Sequence, residues 1–275
     1  MKKRIMIITL IFILIFGYRV DAETNKYEVH FIDTGQSDCI LIKGPDKSYL
    51  IDTGFEGSYE NISNYIKSRG VSKLEEVIIT HYHDDHYGSL EKLVKNDLVK
   101  KVVLPRHQEK YRELVFSYLN DRDVEVEYIN ENFVIKNEGI NIKALLPKKE
   151  DMEIENNNGT VLVGTIDNVK YAFMADVELD REKSLVKEKE LINADIVKVP
   201  HHGLDTSSAE GLVRVLNPRA VIITCDGRES PSREILNRYE NYKTAIFRTD
   251  MNGNILVKAK PENKEIEIIT SKVIQ

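Results

Sequence analysis

The chain has 275 residues, with 39 Lys and Arg against 45 Asp and Glu and a formal net charge of −6. That balance argues against a general basic field for polyanion binding, so an anionic substrate has to be held by local residues or bound cations. Two cysteines, Cys39 and Cys225, exclude a disulfide framework, although the sequence leaves open whether they pair with each other.

Lys2, Lys3 and Arg4 precede an unbroken apolar run from Ile5 to Phe16, and Val20-Asp21-Ala22 follows. This is a signal-peptide layout over 1–22, because the run falls short of the roughly 20 residues that span a bilayer as a helix. The expected outcome is a secreted protein with no stable membrane insertion after cleavage; an uncleaved anchor with the domain outside is the alternative. Cleavage leaves 35 basic against 44 acidic residues, a net charge of −9. Residues 23–275 are read as a single domain.

Three β-like runs open this domain, Tyr27 to Asp33, Cys39 to Lys43 and Ser48 to Asp52, punctuated by Gly35, Gly44-Pro45 and Gly54 as in an antiparallel meander. Ile62, Tyr65 and Ile66 recur at helical spacing, and Glu76 to Thr80 is a short strand running into a histidine cluster. A helix over 89–98, a strand at 101–104, a helix over 109–119 and strands near 124–128 and 140–145 follow. Thr160 to Ile166 and Val169 to Met174 form a hairpin turned by Asp167-Asn168. A charged helix after Glu178, a strand at 195–199, a helix over 209–216 and a strand at 220–224 come next, and strands at 244–247, 254–258 and 265–269 close the chain. Such an order predicts packed sheets covered by helices.

Five of the seven histidines fall in two short segments that each follow a strand directly. In His81-Tyr82-His83-Asp84-Asp85-His86, residues two apart in extended chain point the same way, so His81 and His83 can grip one ion while Asp85 and His86 turn toward a second. Imidazole and carboxylate without thiolate suit Zn²⁺ or Mn²⁺. His201-His202-Gly203, taken alone, fits a structural pair as well as ligands. Asp176 follows the apolar run 171–175, where it either caps the next helix or supplies the carboxylate that bridges two cations.

The pattern His81 to His86 matches HxHxDH, the metal signature of the metallo-β-lactamase superfamily, with Asp52-Thr53-Gly54, Asp176 and His201-His202-Gly203 in the expected order. Within it the chain most resembles the nuclease-like domain of ComEC-type DNA-uptake competence proteins. Phe31 to Asp38 is similar to its DVGQGD segment, and Pro200 to Gly203 with Thr206-Ser207-Ser208 is similar to its PHHGS and TSS segments. The resemblance implies a mixed α/β fold, a four-layer αββα sandwich with two divalent metal ions at the sheet edges. It implies His81, His83 and Asp176 round one ion, and Asp85, His86, Asp176 and one of His201 and His202 round the other. The family's Pro-x-His-Gly selects His202 as ligand and leaves His201 to face substrate, with Asp85 and His201 as the catalytic pair. Asp52 orients a ligand imidazole. Asp33, Gln36 and Asp38 line the site or form turns, and Asn158 and Ser207 approach it.

Three departures stand out. Asn156-Asn157-Asn158-Gly159 occupies the place where many members have another His, Ser230-Pro231 replaces a His-Pro, and Ala175 replaces a Gly, an exchange that ordinary extended backbone accommodates. The expectation is a secreted hydrolase using a metal-bound hydroxide on phosphodiesters, either nucleic acid or a cell-wall polymer. A β-lactam or thioester acyl hydrolase is the alternative enzyme, and an inactive extracellular metal-binding module the non-enzymatic one.

Overall fold

The computed structural model describes residues 26–272, apart from 121 and 261–264, so the leader read at 1–22 lies outside the described residues. The opening runs pair as an antiparallel meander of β1 (Glu28–Phe31), β2 (Ile40–Lys43) and β3 (Ser48–Ile51), with Val29 opposite Ile42 and Ile40 opposite Ile51. Its second turn, between β2 and β3, needs Gly44, where a Cβ would stand 2.6 Å from both the Lys47 carbonyl oxygen and Tyr27 Cε1. Then α1 (Tyr59–Ser68), burying Ile62 and Ile66 one turn apart, leads to β4 (Leu74–Ile78), which lies parallel to β3. After the short α2 (Asp84–Tyr87) and α3 (Leu90–Lys95) comes β5 (Val99–Leu104), and α4 (Glu109–Leu119) leads to β6 (Glu125–Tyr128); both strands add in parallel. Parallel strands require such crossovers, which place the helices on one face.

The second sheet repeats this plan. The strands β7 (Val134–Asn137), β8 (Ile140–Leu145), β9 (Val161–Ile166) and β10 (Val169–Phe173) are antiparallel. The next three, β11 (Ile196–Lys198), β12 (Ala220–Ile223) and β13 (Ala245–Arg248), are parallel, linked through α5 (Leu179–Glu188), α6 (Glu210–Leu216) and α7 (Arg233–Asn241). Past α8 (Thr249–Asn252) the chain returns to the first sheet, where β14 (Ile255–Ala259) pairs with β1 and with β15 (Ile266–Thr270). The sheet orders are β15-β14-β1-β2-β3-β4-β5-β6 and β13-β12-β11-β10-β9-β8-β7.

Strand alternation builds the layers, since Ile40 and Ile42 enter the core between the sheets while Leu41 enters the core under α1, α3 and α4. Likewise Ala220 and Ile222 face the first sheet, and Val221 and Ile223 face the helices of the second. The result is the expected four-layer αββα sandwich. Among the described residues the short helices α2 and α8, together with β7 and α7, have no counterpart in the sequence reading. In β7 only Ile135 is buried and the apolar run Phe133-Val134-Ile135 is just three residues long, and α7 carries its apolar face on just Ile235, Leu236 and Tyr239 behind a Ser232 cap. Cys39 and Cys225 are buried and free, which settles the pairing question left by the sequence. Among the described residues no helix is long and apolar enough to cross a membrane.

Candidate metal centre

The functional residues sit on the loops leaving β3, β4, β10 and β11, the central strands of the two sheets. Past β4 the chain bends at His81 and Tyr82, is extended at His83 (φ −94°, ψ 145°) and then enters α2, so the entry into helix after His83 aims Asp85 and His86 differently from His81 and His83. Across the gap, Asp176 follows Ala175 in the left-handed region at φ 49°, and His201 and His202 adopt φ 48° and 52°. Ala175 is therefore not in ordinary extended backbone, contrary to expectation. A side chain there costs about 1–2 kcal/mol, and the residue is held in place because its carbonyl accepts from His201 N at 3.1 Å and Lys198 Nζ at 3.0 Å. Ser207 acts on the same loop, its buried hydroxyl donating to Pro200 O at 2.9 Å, so it shapes the histidine turn.

Ligand atoms of Asp85, His86, Asp176 and His202 all lie within 4.8 Å of one another. Asp176 Oδ2 is 3.1 Å from both His86 Nε2 and His202 Nε2, and Asp85 Oδ2 is 3.1 Å from His202 Nε2 and 3.5 Å from His86 Nε2. His81 and His83 stand alongside, the His81 and His86 ring centroids being 4.0 Å apart. Among the described residues, they do not close with Asp176 into a group of that tightness.

Outer partners decide which nitrogens remain available. His86 Nδ1 donates to Asp52 Oδ2 at 2.7 Å, and His202 Nδ1 donates to Thr224 O at 2.7 Å. Asp52 also accepts from Thr80 N and Thr80 Oγ1, each at 2.8 Å, so the threonine hydroxyl is left to accept from His81 Nδ1 at 3.1 Å. His83 Nε2 donates to Glu155 Oε2 at 3.1 Å. This assigns the lone pairs to Nε2 of His81, His86 and His202 and to Nδ1 of His83. The free nitrogens of His81 and His83 then face each other at 3.2 Å, and buried His86 Nε2 has no hydrogen-bond partner. Lone pairs opposed to lone pairs and carboxylates call for positive charge between them, so the residues fit a divalent metal centre.

The same demand shows in the protonation of the metal-free site. Burial disfavours a charged His202, yet Asp176 and Asp85 hold its pKa up at about 9. Burial likewise opposes a charged His86, which Asp176 and Asp52 nevertheless raise well above the usual range. Asp176, despite its burial, is held well below the carboxylate range by His202, His86 and Lys198. A metal entering here displaces protons from imidazoles, and cation and proton compete for one electrostatic slot.

His201 lies outside the four-residue group. Its Nδ1 is 2.8 Å from Thr206 Oγ1 and its Nε2 is 3.3 Å from Asn156 Nδ2. Asn156, rather than Asn158, is thus the asparagine that meets a site histidine: the amide of Asn158 is spent on Asp151 N and O, folding its own turn. Asp33 pairs with Lys272 at 2.9 Å, and Gln36 Oε1 accepts from Ser230 Oγ at 3.0 Å, so both brace loops. Asp38 reaches the centre, taking Thr224 Oγ1 at 2.6 Å on one oxygen and the Lys198 ammonium on the other. Glu155, Asn156, Thr224 and Lys198 were not singled out from sequence. Lys198 alone had a signal there, as a lysine inside the apolar strand Ile196-Val197-Lys198-Val199.

Several relatives share this arrangement of sequence or fold. ComE operon protein 3 of Bacillus subtilis is 26% identical over 260 residues, covering 86% of this chain and 34% of that protein. Recombination protein 2 of Haemophilus influenzae is 24% identical over 258 residues (90% and 30%), and competence protein ComA of Neisseria gonorrhoeae is 21% identical over 243 residues (86% and 33%). The three are ComEC-type competence proteins, and the chain spans about a third of the length of each. Among solved structures, the metallo-β-lactamase fold protein YhfI of Bacillus subtilis superposes with a TM-score of 0.55 at 13% identity, over 88% of this chain and 99% of that one. CmlA, a diiron β-hydroxylase from Streptomyces venezuelae, gives 0.59 at 14% identity, over 85% and 54%. These two likenesses establish the fold alone. The family model described as the metallo-beta-lactamase superfamily matches residues 32–227, and with that match the chain belongs to this superfamily.

Proposed function

We infer that this protein is an exported, divalent-metal-dependent phosphodiesterase that takes nucleic acid or a cell-wall phosphodiester as substrate. The observation that carries the reading is the convergence of Asp85, His86, Asp176 and His202 within 4.8 Å, beside the opposed nitrogens of His81 and His83. Two ions, Zn²⁺ or Mn²⁺, suit this imidazole and carboxylate set. Bound there, divalent cations supply Lewis acidity toward a water nucleophile and neutralise charge on phosphoryl oxygens. That lets an acidic protein act on an anion. Asp176 would present its Oδ2 charge to a cation held together with Asp85, His86 and His202. His201, whose Nδ1 meets Thr206 and whose Nε2 accepts from Asn156, stands outside the ligand group and is read as a residue that faces substrate. The competence relatives favour nucleic acid among the phosphodiesters.

The mature protein loaded with Mn²⁺ or Zn²⁺ is expected to cleave single-stranded DNA, duplex DNA and bis-p-nitrophenyl phosphate in parallel assays. Turnover of the small ester alone would keep the phosphodiesterase and remove the nuclease. Loss of all three activities with opening of nitrocefin would put an acyl hydrolase in its place. Export has its own test, since N-terminal sequencing of material from the culture medium should begin near Glu23. A soluble cytoplasmic protein retaining Met1 would overturn it.

A further inference from the structure

We propose that Lys198 is the resident cation of the metal centre, holding its carboxylates together before any metal arrives and presenting a single oxygen of Asp176 to the ligand group. The Lys198 side chain is wholly buried at the C-terminal end of β11. Its ammonium meets Asp38 Oδ2, Asp176 Oδ1 at 3.1 Å and the Ala175 carbonyl at 3.0 Å, so each of its three protons has an acceptor. Asp176 is thereby divided, with Oδ1 committed to lysine and Oδ2 facing His86 and His202 at 3.1 Å.

Charge gives the reason for a lysine here. Asp38, Asp52, Asp85 and Asp176 crowd one pocket, three of them buried and Asp85 partly so. Their mutual repulsion needs positive charge that does not depend on metal supply. Lys198 joins Asp38 to Asp176, and Asp38 continues through Thr224 Oγ1 at 2.6 Å to the carbonyl-bonded His202. One ammonium therefore links the loops after β1, β10 and β12, fixing ligands contributed by both sheets. The inference rests on reading the site as a metal centre and is independent of the substrate.

The test compares thermal unfolding of wild type, Lys198→Met and Lys198→Met/Asp38→Asn, each with EDTA and with saturating Mn²⁺, with metal content measured on the same samples. In EDTA the single variant should melt about 10 °C below wild type. Mn²⁺ should recover more than half of that loss, and amidating Asp38 should raise the EDTA melting temperature again by removing the uncompensated charge. A lysine that merely fills space would show the same loss in EDTA and in Mn²⁺ and no rescue by Asp38→Asn. Either result overturns the proposal, as does a single variant that melts like wild type in EDTA. If the single variant fails to fold, folding of the double variant supports the proposal and its failure overturns it. Wild-type protein that binds no Mn²⁺ would instead overturn the metal-centre reading itself.

Discussion

Asp176→Asn is expected to lower metal-dependent phosphodiester hydrolysis by about a hundredfold or more, and His83→Ala to do the same. The two variants damage different parts of one centre. Amidation keeps the shape of Asp176 but removes the charge that faces His86 and His202 at 3.1 Å on one oxygen and Lys198 at 3.1 Å on the other. Cations and ammonium would then crowd round a neutral group, so metal occupancy and rate fall together. His83 is the most exposed of the four signature residues His81, His83, Asp85 and His86, and it hands its outer nitrogen to Glu155 at 3.1 Å while the inner one faces His81 at 3.2 Å. Its removal deletes a donor with little loss of packing, because the side chain is only partly buried. Circular dichroism should show both variants folded. Rates within about threefold of wild type for either would remove that residue from the working centre.

The paired histidines should separate cleanly by metal content. His202→Ala should lose metal, because His202 Nε2 stands 3.1 Å from both Asp85 and Asp176 and its Nδ1 is fixed on Thr224 O at 2.7 Å. His201→Ala should retain metal and lose turnover, since its nitrogens address Thr206 and Asn156 rather than the ligand carboxylates. The left-handed backbone at both positions sends adjacent side chains to different places, which a continuing strand would do only by alternation across a sheet. Metal-to-protein ratios on the two variants decide the matter. The reverse pattern would exchange the two roles.

Much of this was legible in the amino-acid order because it depends on local chemistry. Alternating apolar runs with turn residues specify strands, and β2 shows why: Ile40, Leu41 and Ile42 have no polar face, so the strand must be covered on both sides, as it is. The HxHxDH spacing places four ligand-type side chains within six residues of a strand end, and that proximity needs no tertiary knowledge. What remained for the tertiary structure was every relation between distant segments. Asp176 meets His86 and His202 only because β10 and β11 run side by side with their ends toward β4, and the Asn156 and Glu155 contacts depend on how one turn folds over the loop. Asn158 was the reasonable choice among three identical neighbours, and its hydrogen bonds to Asp151, invisible in sequence, decided otherwise. Lys198 was visible as an oddity in an apolar strand, but its meaning came from the two aspartates that long-range packing brings to it. A buried charge is interpretable only with its partners, and partners far apart in the chain are fixed by the fold.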